Sequence, residues 1–552
     1  MTRGRFVAAG GAVAAGAFAL TVALWPGGDG PAPAQPSEAA RKPPASSRAP
    51  RPSESHPLSK APATIPAVRE HTAAAGPGWR PDTRTGRVVV RDDGLADEGR
   101  LLAGELRLKY AGQDRPREGD VELALTPDGD GDGDGDKSKD KDKDKEAEAD
   151  KAAGPESYTL SVRERRVRIT APAEAGVFYG TRTLKQEVKG DRTAPEGVIR
   201  DRPAKPRRGF MLDIARKHFD AAWIEDRIRE LGDLKYNELG LHFSDDQAFR
   251  VESDSHPEIV SPDHLTKAQV RRILKLAASR HITVVPEIDS PGHLGAVIDK
   301  HPSLQLRDAR GKATRGAVDI SEPGAARIVD DLLKEFAQLF PGDHWHLGAD
   351  EYLALTAKDP EASYPRLAAA ARERYGPGGR VRDLATDWLN DRAETVRAYE
   401  KKLRAWNDGF FPGGRARAPD DLEVAYWTGK EIGAREPVEY LKAGRRLVNY
   451  NDEYLYYVLG EPNDFRYPTG QRIYESWTPL VLRGTRPVDA RYDDRILGAS
   501  FAVWCDLARS QTQEQVAEGI RLPLRATVQK LWDPRKPSLP WPDFVRLADT
   551  VR

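Results

Sequence analysis

The sequence predicts an α/β protein: a (β/α)8 barrel preceded by a small α/β domain and a disordered N-terminal segment. Three observations carry this expectation. Between positions 208 and 531, eight short apolar runs alternate with longer stretches of helical periodicity. Acidic residues and tryptophans fall at or just past the C-terminal ends of those runs, and in a barrel these ends converge on one mouth. Upstream, alternating segments such as Arg87-Val88-Val89-Val90 and Arg166-Val167-Arg168-Ile169 read as strands of a separate small domain. A doubly wound open sheet is the second reading of the same alternation.

At 552 residues the chain has room for roughly two to four domains. Residues 1–25 begin with Arg3 and Arg5 and continue as an apolar stretch from Phe6 to Trp25. This reads as an export signal or, being just long enough to cross a bilayer, as an uncleaved membrane anchor. Either way the protein is expected to be secreted or held outside the cytoplasm at a membrane. Residues 26–77 are rich in Pro, Ala and Ser and are expected to form a disordered linker. The small α/β domain is expected over 78–200, interrupted at 127–152 by an Asp-Gly repeat and an Asp-Lys repeat. A calcium-loop reading of the first repeat needs Glu at its twelfth position, where Lys139 or Lys141 stands. A solvated, disordered insertion is the better reading.

The barrel is expected over 201–552. Its strands read as 209–214, 238–243, 283–288, 344–348, 404–407, 424–427, 447–450 and 498–504. Helical periodicity covers 221–234, 267–280, 324–340, 382–402 and 513–531. Lys+Arg and Asp+Glu balance at 86 each, so nucleic acid is not an expected partner. The single cysteine, Cys505, excludes an intrachain disulfide and cysteine metal clusters. Eleven tryptophans offer flat faces of the kind that stack on sugar rings. No motif calls for a metal or an organic cofactor.

Chemistry concentrates at His346-Leu347-Gly348-Ala349-Asp350-Glu351. Adjacent carboxylates repel, so ionising one raises the cost of ionising the other. One can stay charged while its neighbour holds a proton, a division suited to acid-assisted cleavage of a glycosidic bond. An exposed Asp-Glu pair in a turn is the plainer alternative. Successive residues on a regular strand point to opposite faces, so both side chains reach one site only if the strand ends there.

Four motifs in order then give a specific resemblance. They are Arg208-Gly209-Phe210-Met211-Leu212-Asp213-Ile214-Ala215-Arg216, His242-Phe243-Ser244-Asp245-Asp246-Gln247, Pro286-Glu287-Ile288-Asp289-Ser290-Pro291-Gly292-His293, and His346 to Glu351. Together they resemble the β-N-acetylhexosaminidases, glycoside hydrolase family 20. Gly176-Val177-Phe178-Tyr179-Gly180-Thr181-Arg182 is similar to the end of that family's preceding domain. The resemblance implies an exo-acting, retaining hydrolase of terminal β-linked N-acetylhexosamine (GlcNAc or GalNAc), assisted by the substrate's own 2-acetamido group. By the same resemblance Glu351 is the general acid and base, and Asp350 orients the acetamido group. Asp245 and His293 support the acid, with Asp289 either binding or fixing the turn. Arg216 holds sugar hydroxyls, Trp406, Trp427 and Trp504 wall the sugar, and Tyr454 meets the acetamido oxygen.

Two departures touch specificity. Leu455 is followed by Tyr456 where the family often has Asp, and Asp506 stands where it often has Glu. Both positions usually meet the far hydroxyls of the terminal sugar, and the changes leave room for a further sugar. Release of a disaccharide, as by lacto-N-biosidases, is therefore an alternative. The others are a non-catalytic carbohydrate-binding barrel and a surface protein in which the barrel only scaffolds.

Overall fold

A computed structural model of the chain describes residues 56–126, 154–430 and 434–551. The expected signal or anchor at 1–25, most of the expected linker, and the insertion at 127–152 lie outside the described residues. Among the described residues no helix is long and apolar enough to cross a membrane.

The alternation of apolar runs resolves into a closed barrel, not an open sheet. Its eight strands are Arg207–Asp213, Glu238–His242, Thr283–Glu287, His344–His346, Lys402–Trp406, Glu423–Tyr426, Leu447–Asn449 and Ile496–Trp504. Each pairs in parallel with the next, and the eighth closes on the first through Gly498↔Arg207 to Val503↔Leu212. A ninth short strand, Tyr456–Val458, continues alongside the distal end of the eighth.

Helices Ala221–Asp233, Lys267–Ala278, Pro323–Leu339, Val381–Arg397 and Gln513–Trp532 account for the helical periodicity. Lys267–Ala278 starts at a reciprocal Thr266–Gln269 capping box and buries Val270, Ile273 and Ala277 on one face. Gln513–Trp532 starts the same way, at Thr512 and Gln515. The helix expected to reach 402 ends at Arg397, because Glu400 takes a left-handed φ of 59° and Lys402 already pairs in the fifth strand. Helical periodicity overran a break that sits in a residue with no turn signature.

Ahead of the barrel stands a seven-stranded sheet in the order Glu70–Ala73, Gly197–Asp201, Tyr158–Arg163, Arg166–Ala171, Val121–Leu125, Arg87–Val90, Lys109–Tyr110. Helices Ala96–Leu106 and Glu174–Gly190 pack on it. The expected linker end at 77 is corrected here. Glu70–Ala73 is an edge strand paired antiparallel with Gly197–Asp201. Just before it, Ile65 is fully buried in the barrel's core. The Gln186 side chain serves as its ladder partner, accepting from the Ile65 N–H at 2.7 Å and donating to its carbonyl at 2.8 Å. A Pro-rich composition concealed an edge that needs pairing on one side only.

The barrel interior is polar in layers, as inward residues recur every second position. Nearest the strand starts, the Arg404 guanidinium donates to both Glu238 carboxylate oxygens and to Glu423 at 3.4 Å. One level up, His242, Glu287 and His346 are register partners on three consecutive strands. That level supports the mouth.

Candidate active site

The fourth strand stops at His346, and the backbone beyond it turns both carboxylates inward. Gly348, Ala349 and Glu351 have φ of 69°, 77° and 46°. Left-handed backbone at Ala349 and Glu351 costs on the order of 1 kcal/mol each and persists only where neighbours hold it. Two carboxylates do so. Asp289 Oδ1 accepts the Ala349 N–H at 2.7 Å, and Asp408 Oδ2 accepts the Glu351 N–H at 2.8 Å. A Cβ at Gly348 would fall 1.7 Å from Asp289 Oδ1, so only glycine fits beneath that contact.

His293 is the point on which the acids converge. Its Nε2 lies 3.7 Å from Asp350 Oδ2 and 3.5 Å from Glu351 Oε2, while its Nδ1 lies 3.3 Å from Asp245 Oδ1. Asp245 Oδ2 also meets Arg216 Nη2 at 2.7 Å and His242 Nε2 at 2.8 Å. His242 Nδ1 in turn lies 3.1 Å from Glu287, which accepts the Trp406 indole N–H at 2.7 Å. A continuous buried chain therefore runs from His293 through Asp245, His242 and Glu287 to Trp406.

These contacts set the charges. Burial opposes the charged form of His293, but Asp245, Asp350 and Asp289 outweigh it and hold the imidazole protonated well above its ordinary value. Burial disfavours charge on His242 too, yet Glu287 and Asp245 lift it to about 10. The hydrogen bond to His293 keeps the Glu351 carboxyl below its ordinary value, with burial opposing. Burial and then the neighbouring Asp289 carboxyl drive Asp350 well above the usual carboxylate range, and burial raises Asp289 itself to about 7.

The two adjacent acids thus divide their roles, but in the substrate-free protein the proton favours Asp350. The charge that raises Asp350 is chiefly Asp289, not Glu351 as adjacency suggested.

Arg216 sits at the same end. It donates to Asp213 at 3.1 Å and lies 5.4 Å over the Trp504 ring. Asp213 also accepts the Cys505 N–H at 2.9 Å, tying the ends of the first and eighth strands together. Trp406 and Trp504 stand 5.9 Å apart at 52°, and Trp427 stacks on Tyr456 at 5.8 Å. Asp506 is exposed at the rim, within the field of Arg216.

Tyr454 is not part of this group. It lies in the turn before the ninth strand, packs in the large hydrophobic cluster with Leu455 and Tyr457 and not in that of Trp406 and Tyr456, and has Arg472 4.2 Å over its ring. Tyr456, two residues on, joins Trp406 and Trp504 in the mouth cluster. Burial raises its phenol, and the Asp350 carboxylate adds to the shift. A turn of this kind sets which tyrosine faces inward, and the crowded aromatic segment gives no periodicity to read it from.

Sequence reasoning also passed over Asp408, His242 and Glu287. The last two lay within the quoted motifs, and Asp408 directly follows Trp406-Asn407. Asp408 Oδ1 accepts the Trp427 indole N–H at 3.0 Å, so one carboxylate positions both an acid-bearing turn and a wall. Removing it frees a strained turn, and a misplacement of about 1 Å can cost a hundredfold in rate. Asp408→Ala is therefore expected to lower kcat about 10- to 100-fold with a smaller change in KM. Asp408→Asn, which keeps an acceptor oxygen, retains more of the rate. Steady-state kinetics of both variants beside their thermal unfolding checks this. A cavity of about 530 Å³ shares Asn407 and Asp408 with this loop, but neither Asp350 nor Glu351 lines it.

Comparison with known proteins bears on these features together. The family model described as glycosyl hydrolase family 20, catalytic domain, matches residues 206–522, and that described as glycosyl hydrolase family 20, domain 2, matches 61–202. A lacto-N-biosidase of Bifidobacterium bifidum is 30% identical over 495 residues, covering 89% of this chain and 41% of that protein. A beta-hexosaminidase of Vibrio furnissii is 28% identical over 407 residues, covering 64% and 62%. The chain thus spans less than two thirds of the length of these relatives. A mutant Streptomyces plicatus beta-hexosaminidase in complex with GlcNAc superposes with a TM-score of 0.67 at 23% identity, covering 90% of this chain and 95% of that one. That likeness concerns the fold.

Proposed function

The chain belongs to glycosyl hydrolase family 20, and on that premise we propose that it is a retaining glycosidase acting on terminal β-linked N-acetylhexosamine. The observation that carries the reading is the convergence of Asp350, Glu351 and Asp245 on His293, at the same end of the barrel as the Trp406–Trp504 pair. No second carboxylate need stand under the ring, because the substrate supplies its own nucleophile.

In the first step the acetamido carbonyl oxygen attacks C1, the glycosidic C–O bond breaks, and Glu351 gives its proton to the departing oxygen. Asp350 fixes the acetamido N–H and balances the positive charge of the cyclic oxazolinium ion. In the second step water attacks C1, Glu351 takes its proton, and the acetamido oxygen leaves, restoring the β configuration. Arg216 and the tryptophans hold the sugar. Glycans ending in such a sugar are the partners. Export to the cell exterior forms part of the reading and is supported by Arg3, Arg5 and the apolar stretch after them. The N-terminal sequence of protein recovered from medium and from membranes separates a cleaved signal from an anchor.

The aglycone aside, a second reading is that the released unit is a disaccharide. It is favoured by Tyr456 and the exposed Asp506 at positions where acids would meet the far hydroxyls, and by the span of similarity to the lacto-N-biosidase.

Aryl β-N-acetylglucosaminide, aryl β-glucoside and aryl β-lacto-N-bioside, assayed side by side, test both readings. Turnover is expected only where the ring next to the bond carries the acetamido group. Release from the plain glucoside at a comparable rate would overturn the assisted mechanism. Preference for the lacto-N-bioside would select the second reading, and binding of all three without turnover would defeat both.

A further inference from the structure

Apart from the group around His293, the described residues hold a second kind of side-chain cluster: His256, Glu258 and His301. The first two lie in the loop after the second barrel strand, and His301 follows the short helix Gly295–Ile298 in the loop after the third. His256 Nδ1 and His301 Nε2 each lie 3.0 Å from the same oxygen, Glu258 Oε1, and the three donor atoms fall within 4.8 Å of one another. Two imidazole nitrogens and one carboxylate oxygen are donors for zinc and its neighbours in the first transition row. A tetrahedral zinc about 2.0–2.2 Å from each donor sets neighbouring donors about 3.3 Å apart, so two of the three separations here need only a small side-chain adjustment.

A second observation points the same way. The other nitrogen of His256, Nε2, is buried without a hydrogen-bond partner, and Asp331 Oδ2 stands 3.6 Å from it. A metal on Nδ1 requires the proton to sit on Nε2, where it would be donated to Asp331. That is the carboxylate–histidine–metal arrangement that orients ligating imidazoles. The loop is braced in advance. Glu335 accepts from the Asp254 N–H at 2.7 Å, the Ser255 N–H at 3.1 Å and the Ser253 hydroxyl at 2.8 Å, and it pairs with Lys267 at 2.6 Å. Ser253 Oγ in turn accepts the His256 N–H at 3.1 Å.

We propose that His256, Glu258 and His301 bind a divalent transition ion of the zinc class, with the fourth position open to water. The ion joins the two loops that carry Asp245 and His293, so it steadies the mouth without touching substrate. With only one oxygen among the three donors, the site does not suit calcium, which takes six to eight oxygen ligands.

Titration calorimetry of the chelator-treated full chain with zinc chloride and, separately, with calcium chloride tests this, using wild type, His301→Gln and Glu258→Gln. His301 and Glu258 are partly exposed, so both variants keep their fold. The expected result is one zinc site with Kd tighter than about 10 µM in the wild type. Each variant should bind at least about 10- to 100-fold more weakly. Zinc should raise the unfolding temperature of the wild type alone, and calcium should give no heat. Zinc binding that is absent from the wild type, or unchanged in His301→Gln and Glu258→Gln, would overturn the proposal. The unchanged case would place the ion elsewhere, such as among Asp289, His293 and Asp350.

Discussion

Glu351→Gln is expected to lower kcat/KM on a β-N-acetylglucosaminide with a poor leaving group by about 10²- to 10⁴-fold, the usual contribution of acid–base catalysis. The loss should shrink sharply on a dinitrophenyl glycoside, whose leaving oxygen needs no proton. Asp350→Asn should lose activity to a similar degree on both substrates, because an amide nucleophile must be held whatever departs. Kinetics of the two variants on the two leaving groups separate an acid from an orienting anion. Equal losses for Glu351→Gln on both would remove Glu351 from the acid's place.

The pH profile adds a sharper expectation. The productive state carries a proton on Glu351 and a charge on Asp350, whereas the substrate-free contacts favour the reverse. Both distributions hold the same number of protons, so they share one bell-shaped profile belonging to the cluster as a whole. Its alkaline limb marks loss of the last shared proton, which burial and the neighbouring Asp289 carboxyl hold on Asp350 well above the usual carboxylate range. Asp289→Asn removes the like charge that raises Asp350, so the limb should move to lower pH.

How far these features could be read from the chain depends on whether their cause was local. Asp350 and Glu351 were visible because their neighbourhood in sequence is their neighbourhood in space. The barrel strands were visible because strands buried on both faces read as continuous apolar runs. Tyr456 was not, since the turn ahead of the ninth strand decides which aromatic faces inward. Nor was the edge strand Glu70–Ala73, which pairs with residues near 200 and carries little apolar patterning of its own. His256, Glu258 and His301 escaped for a similar reason, with 43 positions between Glu258 and His301. The ionic layer below the mouth was the least legible, because Arg404 and Glu238 lie 166 positions apart and each stands alone in its run.

That layer gives the largest expected effect on stability. Arg404 is 2% exposed and is the principal counter-charge for Glu238 and Glu423, which are equally buried. Burial pushes the Glu238 carboxyl up, but Arg404 overrides it and holds the group at about 2. Arg404→Ala leaves those carboxylates inside the barrel without it, with Arg207 at 3.9 Å from Glu238 and 3.8 Å from Glu423, and Arg446 at 3.6 Å from Glu423. Breaking a buried pair in this way typically costs about 3–5 kcal/mol. The loss should also depend on pH. In the wild type Glu238 stabilises the fold above its unfolded value and loses that contribution only as pH falls toward 2. In the variant its folded pKa moves above the unfolded one, so stability is greatest below that value and falls as pH rises. The deficit measured by urea unfolding at pH 5 should therefore be smaller than at pH 8. Pairing Arg404→Met with Glu238→Leu should recover part of the loss, because an apolar replacement of a buried ion pair is often neutral. A deficit that does not change with pH would mean that packing of the arginine stem, and not its charge, holds the strands together at that level.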